Sequence, residues 1–211
     1  MKYAYEDKHG KYHLVTDITR WQHFRGVDDW PNRTDAERRE KRWYPVEEVN
    51  AEFDPRIQNR TGPGFSLDEE RGVVVATYTV RDKPVSALIR EKVRQIEAHR
   101  DRLLAAGVEY TFPSGETALI QTRNEGDMRN ILAKGAQALA YVSKGLPSQK
   151  MVYRTADNIT RELSAQQMTD MTNYIASELQ DIYEASWAHK DAVRGMTDPV
   201  QIVEYDTEAG W

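Results

Sequence analysis

The stretch SAQQMTDMTNYIASELQDIYEASWAHKDAVR, residues 164–194, decides how the chain folds. Ser164 and Gln167 stand at capping-box spacing: the hydroxyl can accept from a free N–H of the first turn, and the amide can reach back to the cap's own N–H. Behind them Met168, Met171, Ile175, Leu179 and Ile182 recur at steps of three and four, one stripe of a helix. No proline interrupts the run before Pro199, and Gly195 supplies a stop. The spacing predicts one helix of roughly 45 Å at 1.5 Å per residue, with a polar face of Asp, Glu, Asn and Gln. A narrow apolar stripe on so long a rod seeks other helices. The helix is therefore expected to be the packing axis of the chain, and of copies of it.

Upstream, the elements read in pairs. Pro84 opens a helix to about Ala106, with Ile89, Val93, Ile96 and Leu103 as its stripe and Gly107 as its stop. Its basic residues, Arg90, Lys92, Arg94, Arg100 and Arg102, read as a solvated face paired with Glu91 and Glu97. Val108–Phe112 and Thr117–Thr122 flank a turn at Pro113-Ser114-Gly115-Glu116, which predicts a hairpin. Asn124 caps a helix from Glu125 to about Lys144, with Met128, Ile131, Leu132, Leu139 and Val142 as its apolar side. Gly135 and Ala133, Ala136, Ala138 and Ala140 permit close helix contact. Met151–Thr155 and Ile159–Leu163, turning at Asp157-Asn158, predict a second hairpin.

The first 83 residues are richer in strand signals. Lys2 to Val15 reads as a hairpin turning at Lys8-His9-Gly10-Lys11, and Thr16 to Phe24 as a short helical turn capped by Thr16 or Asp17. Gly26 to Arg33 reads as a loop. Thr34-Asp35-Ala36-Glu37 is a second capping box, opening a charged helix to about Arg42. Trp43-Tyr44-Pro45-Val46 is extended, because the residue before a proline avoids the helical region. Asn50 to Phe65, with Pro55, Gly62, Pro63 and Gly64, reads as an ordered loop. Arg71 to Val80 carries β-formers on both faces and is expected to be a central strand. The predicted class is α+β: a small β-rich attachment region over residues 1–83, then a helix–hairpin–helix–hairpin–helix domain over 84–211.

Composition narrows the function. With 30% charged and 39% hydrophobic residues in 211, and a mean hydropathy of −0.76, the chain is polar and buries a modest core. A net charge of −5 argues against a general nucleic-acid binder. Cysteine is absent, which removes disulfides and thiolate metal sites. No apolar run approaches a membrane span, and Met1 to Val15 lacks a signal peptide's apolar region, so a soluble protein made in the cytoplasm is expected. His9, His13, His23, His99 and His189 show no ligand spacing. Asp28-Asp29, Glu47-Glu48 and Asp68-Glu69-Glu70 read as surface charge rather than acid–base pairs. Arg38, Arg39, Lys41 and Arg42 beside Trp43 and Tyr44 could suit single-stranded nucleic acid, but Glu37 and Glu40 dilute the charge, and cations at a helix C-terminus answer its dipole. No catalytic residue, cofactor or metal is expected. The expected interface residues are Trp43, Tyr44, Trp187 and Trp211, together with the Met168, Met171, Ile175, Leu179 and Ile182 stripe.

From Trp43-Tyr44-Pro45-Val46-Glu47 to Lys83-Pro84-Val85, by way of Phe53-Asp54-Pro55, Gly62-Pro63 and Tyr78-Thr79-Val80-Arg81-Asp82, the chain resembles a segment common in small tail-associated proteins of tailed bacteriophages. From about Leu88 to Ala192 it resembles the uncharacterised domain of many phage tail-fibre-region proteins. The features that carry this are Gly107-Val108, Thr111-Phe112, Ile120-Gln121-Thr122-Arg123, the alanine-rich helix, Thr155-Ala156-Asp157, Leu163-Ser164-Ala165 and Trp187-Ala188-His189-Lys190-Asp191-Ala192. The resemblance implies a virion component of tail tip, baseplate or fibre, in contact with other tail or fibre proteins. The stripe of residues 164–194 adds the expectation of packing against copies of itself, with a closed ring or trimer as the natural symmetry. The resemblance supplies no catalytic residues. The alternatives are a tail-fibre assembly chaperone that leaves the finished particle and, from another class, a tail glycan hydrolase, for which no acid pair can be nominated.

Overall fold

The computed structural model describes residues 1–25 and 27–211, so the loop expected from Gly26 begins outside the described residues. The chain is mixed α and β, β-rich in its N-terminal part and helical in its C-terminal part. It divides into two compact units, Met1–Lys83 and Pro84–Trp211.

The first unit is built from β1 (Tyr3–Glu6), β2 (Tyr12–Val15), the short strands β3 (His23–Phe24) and β4 (Val27–Asp28), α1 (Asp35–Glu40), β5 (Trp43–Val49), β6 (Gln58–Asp68) and β7 (Val73–Asp82). Five strands form one sheet in the order β2-β1-β5-β7-β6, with β5 parallel to β7 and the other pairs antiparallel. β7 is interior to the sheet, and Val74 and Ala76 are fully buried. The loop expected over Asn50–Phe65 is corrected: from Gln58 it is an edge strand. Its register shifts between Thr61 and Gly64, so Gly62-Pro63 falls in a bulge, where a proline costs no ladder hydrogen bond.

An aromatic core lies on one face. Trp43 is 0% exposed, stacked on Tyr5 at 5.6 Å and edge-on to Phe24 at 4.9 Å and Trp30 at 5.3 Å. Helix α1 begins with the Thr34 capping box: the hydroxyl accepts from the Glu37 N–H, and the Glu37 carboxylate accepts from the Thr34 N–H at 2.7 Å. Arg38, one of the cations of this charged helix, is 6% exposed. Its guanidinium donates to the Pro31 carbonyl at 2.7 Å and the Tyr3 hydroxyl at 3.1 Å, and pairs with Asp35 at 3.0 Å. Buried charge is tolerated there because those acceptors replace water.

The second unit contains α2 (Val85–Ala106), the hairpin β8 (Val108–Thr111) and β9 (Thr117–Ile120), α3 (Glu125–Ser143), the hairpin β10 (Lys150–Arg154) and β11 (Thr160–Ser164), α4 (Ala165–Arg194) and a short α5 (Pro199–Glu204). Both halves of the Ser164 capping box are made, with the Ser164 N–H donating to the Gln167 side chain at 2.8 Å. α4 packs against α2 and α3. Its Met168, Met171 and Ile175 are fully buried, in one core with Ile120, Ile131, Met151 and Leu163 from the other elements. Two glycines make this packing possible. Gly107 ends α2 at φ +93°, and a Cβ there would lie 2.8 Å from the Ile120 carbonyl oxygen. A Cβ on Gly135 would lie 2.9 Å from the Thr172 hydroxyl, so α3 and α4 touch at that point.

α5 was not expected. Asp198 caps it by accepting from the Val200 N–H, and Pro199 is its first residue. The segment after it is clasped onto the unit. The Tyr205 hydroxyl and His189 Nδ1 share a hydrogen bond of 2.7 Å, and Lys92 donates to the Tyr205 carbonyl at 2.8 Å. Trp211 stacks on His189 at 5.1 Å and lies against His99 at 4.8 Å. Glu208 pairs with Arg102 and, at 3.3 Å, with His99.

Candidate functional site

The expected interface residues separate into buried and exposed sets. Trp43 lies on the inward side of β5, so its contacts are all with its own unit; strand alternation turns the next residue, Tyr44, to the opposite face, where it is half-buried against Tyr12. Met168, Met171, Ile175 and Leu179 are buried by α3 and the hairpins of their own unit, and Ile182 is half-buried at the margin of that core. The stripe is therefore the axis of its own unit, and its Ile175 and Leu179 also reach the groove between α3 and α4. Trp211 is held by His99 and His189. Only Trp187, 50% exposed beside Tyr183 at 6.3 Å, offers a large free aromatic surface. Arg100 lies 5.9 Å over the Tyr183 ring, which leaves a cation beside this aromatic pair.

Two neighbouring leucines of α3 also face outward. Leu132 and Leu139 are 65% and 56% exposed, while Ile131 and Ala138, one position away from each, are buried. Between α3 and α4 runs a groove of about 380 Å³, with Leu132, Ala136 and Leu139 along one wall and Thr169, Asn173 and Ala176 along the other. No charged side chain lines it. In a chain with 30% charged residues, an uncharged groove beside two bare leucines is the surface most suited to binding protein. The sequence assigned both leucines to the buried side. The available signal was that α3 is apolar on more than one side, so one apolar side had to remain uncovered.

The hairpin ends hold a polar cluster. Arg161 pairs with Asp157 at 3.0 Å, donates to the Thr155 hydroxyl, lies 3.7 Å from Glu116 and covers the Phe112 ring at 5.0 Å. It thus ties the tip of β10–β11 to that of β8–β9. Arg161, then the Thr155 hydroxyl and the Ile159 N–H, hold the Asp157 carboxyl well below the usual carboxylate range. A carboxyl depressed on folding contributes stability that is complete above its unfolded pKa and is lost as pH falls towards the folded one. Asp157→Asn should therefore lower the thermal midpoint at neutral pH. Its gap from wild type should narrow as pH drops from about 5 to about 2. A gap that does not change with pH would show that the carboxylate charge is not what ties the tips.

Among the described residues, no group of three or more His, Asp and Glu is placed to hold a metal ion, and no helix is long and apolar enough to cross a membrane. Residues 87–209 match the model of a family described as a domain of unknown function, DUF4376. The chain belongs to the DUF4376 family. The DUF4376 match covers more than half of the chain and takes in both hairpins, α3 and α4 with the groove between them, and most of the clasped C-terminal segment. No curated protein and no solved structure matches the chain.

Proposed function

We propose that the protein is a structural component of a bacteriophage tail, at the tip, baseplate or fibre attachment, and that it works by packing against other proteins. The observation that carries this reading is the uncharged α3–α4 groove with Leu132 and Leu139 bare beside it. Exposed apolar surface of this kind is costly unless a partner covers it. The resemblance of residues 43–85 and 88–192 to tail-associated proteins supplies the context. In this role the helix–hairpin–helix–hairpin–helix module is a rigid block whose α4 axis holds α3 outward. The partners are other tail or fibre proteins and further copies of the chain; nucleic acid is disfavoured by the charge of −5. The protein needs no catalytic residue and no cofactor. It is made in the host cytoplasm and ends in the virion.

The same groove would suit an assembly chaperone that shields an apolar segment of a fibre and then departs. Quantitative peptide mapping of purified particles separates the two. A tail component is recovered in a fixed ratio to known tail proteins. Abundance in the infected lysate with none in the particle would overturn the tail-component reading in favour of the chaperone.

A further inference from the structure

The outer face of α3 carries a two-fold pattern centred on Ala136. Leu132 lies four residues before it and Ala140 four after; Ala133 lies three before and Leu139 three after. All five are exposed. Large and small therefore exchange places about the centre. When two copies of α3 run antiparallel with Ala136 at the axis, Leu132 falls on the partner's Ala140 and Leu139 on the partner's Ala133. Each contact then occurs twice, the self-complementarity an isologous interface requires. Alanine opposite leucine also lets the helix axes approach to about 8 Å, the near end of the packing range.

The ends of the helix agree with this register. The first turn of α3 carries Glu125 and Asp127, of which Asp127 is already paired with Arg123 at 3.1 Å, and Lys144 caps its other end. Antiparallel pairing opposes the helix dipoles and brings Lys144 to the partner's acidic first turn. A parallel pair would set like ends together. The size is also sufficient. α3 has 19 residues, a length of about 28 Å, and with the adjoining edge of α4 it offers a strip about 18 Å wide. That is about 500 Å² from each copy and about 1,000 Å² in total, the threshold for a specific interface. We propose that the outer face of α3 is the two-fold contact of a homodimer, with each copy's α3 covering the α3–α4 groove of the other.

The inference rests on the packing role proposed above and gives that role one surface and one partner. Light scattering on the full chain should give twice the monomer mass, rising to that value with concentration. Ala136→Glu sets two carboxylates together at the axis and should return the chain to monomer with the same circular dichroism, because the site is exposed in one copy, and with a thermal midpoint equal to that of the wild type at concentrations where it too is monomeric. In a chain without cysteine, Ala136→Cys should form an intermolecular disulfide on mild oxidation, while Glu184→Cys, on an exposed turn of α4 beyond the groove, should not. A wild type that is monomeric at every concentration, an odd-numbered assembly, or an Ala136→Glu dimer would overturn the proposal, as would equal cross-linking from position 184. A dimer in solution with no copies in purified particles would overturn the tail-component reading and leave the contact standing. A solution monomer recovered stoichiometrically from particles would do the reverse.

Discussion

Ile175→Asp is expected to unfold the Pro84–Trp211 unit or to leave it barely folded. Ile175 is fully buried in the middle of α4, among Met168, Met171 and Leu179 of the same core. A carboxylate there would sit among apolar side chains, and a buried unpaired charge of this kind costs about 4 kcal/mol or more. Typical domains are stable by about 5–15 kcal/mol in all, so one such change consumes much of the margin. Ile175→Val, which removes one methyl, should cost about 0.5–1.5 kcal/mol and leave the fold intact. Hydrogen exchange read peptide by peptide checks both: the aspartate variant should lose protection through α2, α3 and α4, the valine variant only slightly. Retained protection and an unchanged midpoint in Ile175→Asp would mean that the stripe does not hold the unit together.

The second large effect belongs to the other unit. Trp43→Ala should destabilise Met1–Lys83 by about 3–5 kcal/mol, the usual cost of removing a buried large aromatic. Tyr5, Phe24 and Trp30 would all face the resulting cavity. Trp43→Phe should cost much less. It keeps a ring against those neighbours, and it removes an indole N–H that has no hydrogen-bond partner among the described residues. Losing that N–H relieves a desolvated donor and offsets part of the lost volume. Exchange protection of β1, β5 and β7 reports the difference. Equal losses in the two variants would show that the cavity is not the cause.

These two positions also mark what the sequence could reveal. The α4 stripe was legible because a period of 3.6 over thirty residues leaves no competing element, and its cap is a local chemical signature. What the stripe would face was not legible, since periodicity identifies an apolar side without saying whose side chains cover it. Trp43 shows the same limit: an aromatic beside cations suits either a core or an interface, and only the pairing of β5 between β1 and β7 turns it inward. β6 was hidden by Gly62-Pro63-Gly64, which reads as loop until the partner strand supplies a bulge to hold it. The burial of Arg38 is not legible in the sequence, because its acceptors, the Pro31 carbonyl and the Tyr3 hydroxyl, lie far from it in the chain or in an irregular turn. On α3 the residues that matter, Leu132, Ala136 and Leu139, were all noticed, but the choice between two apolar sides depends on Gly135 meeting Thr172, which only tertiary packing supplies.

A reconstruction of the intact tail at side-chain resolution tests the packing role most directly. The expected result is ordered, repeated density for the Pro84–Trp211 unit, with Leu132 and Leu139 covered by protein. Density for the unit with α3 facing bulk solvent in every copy, or no density for the chain at all, would contradict it.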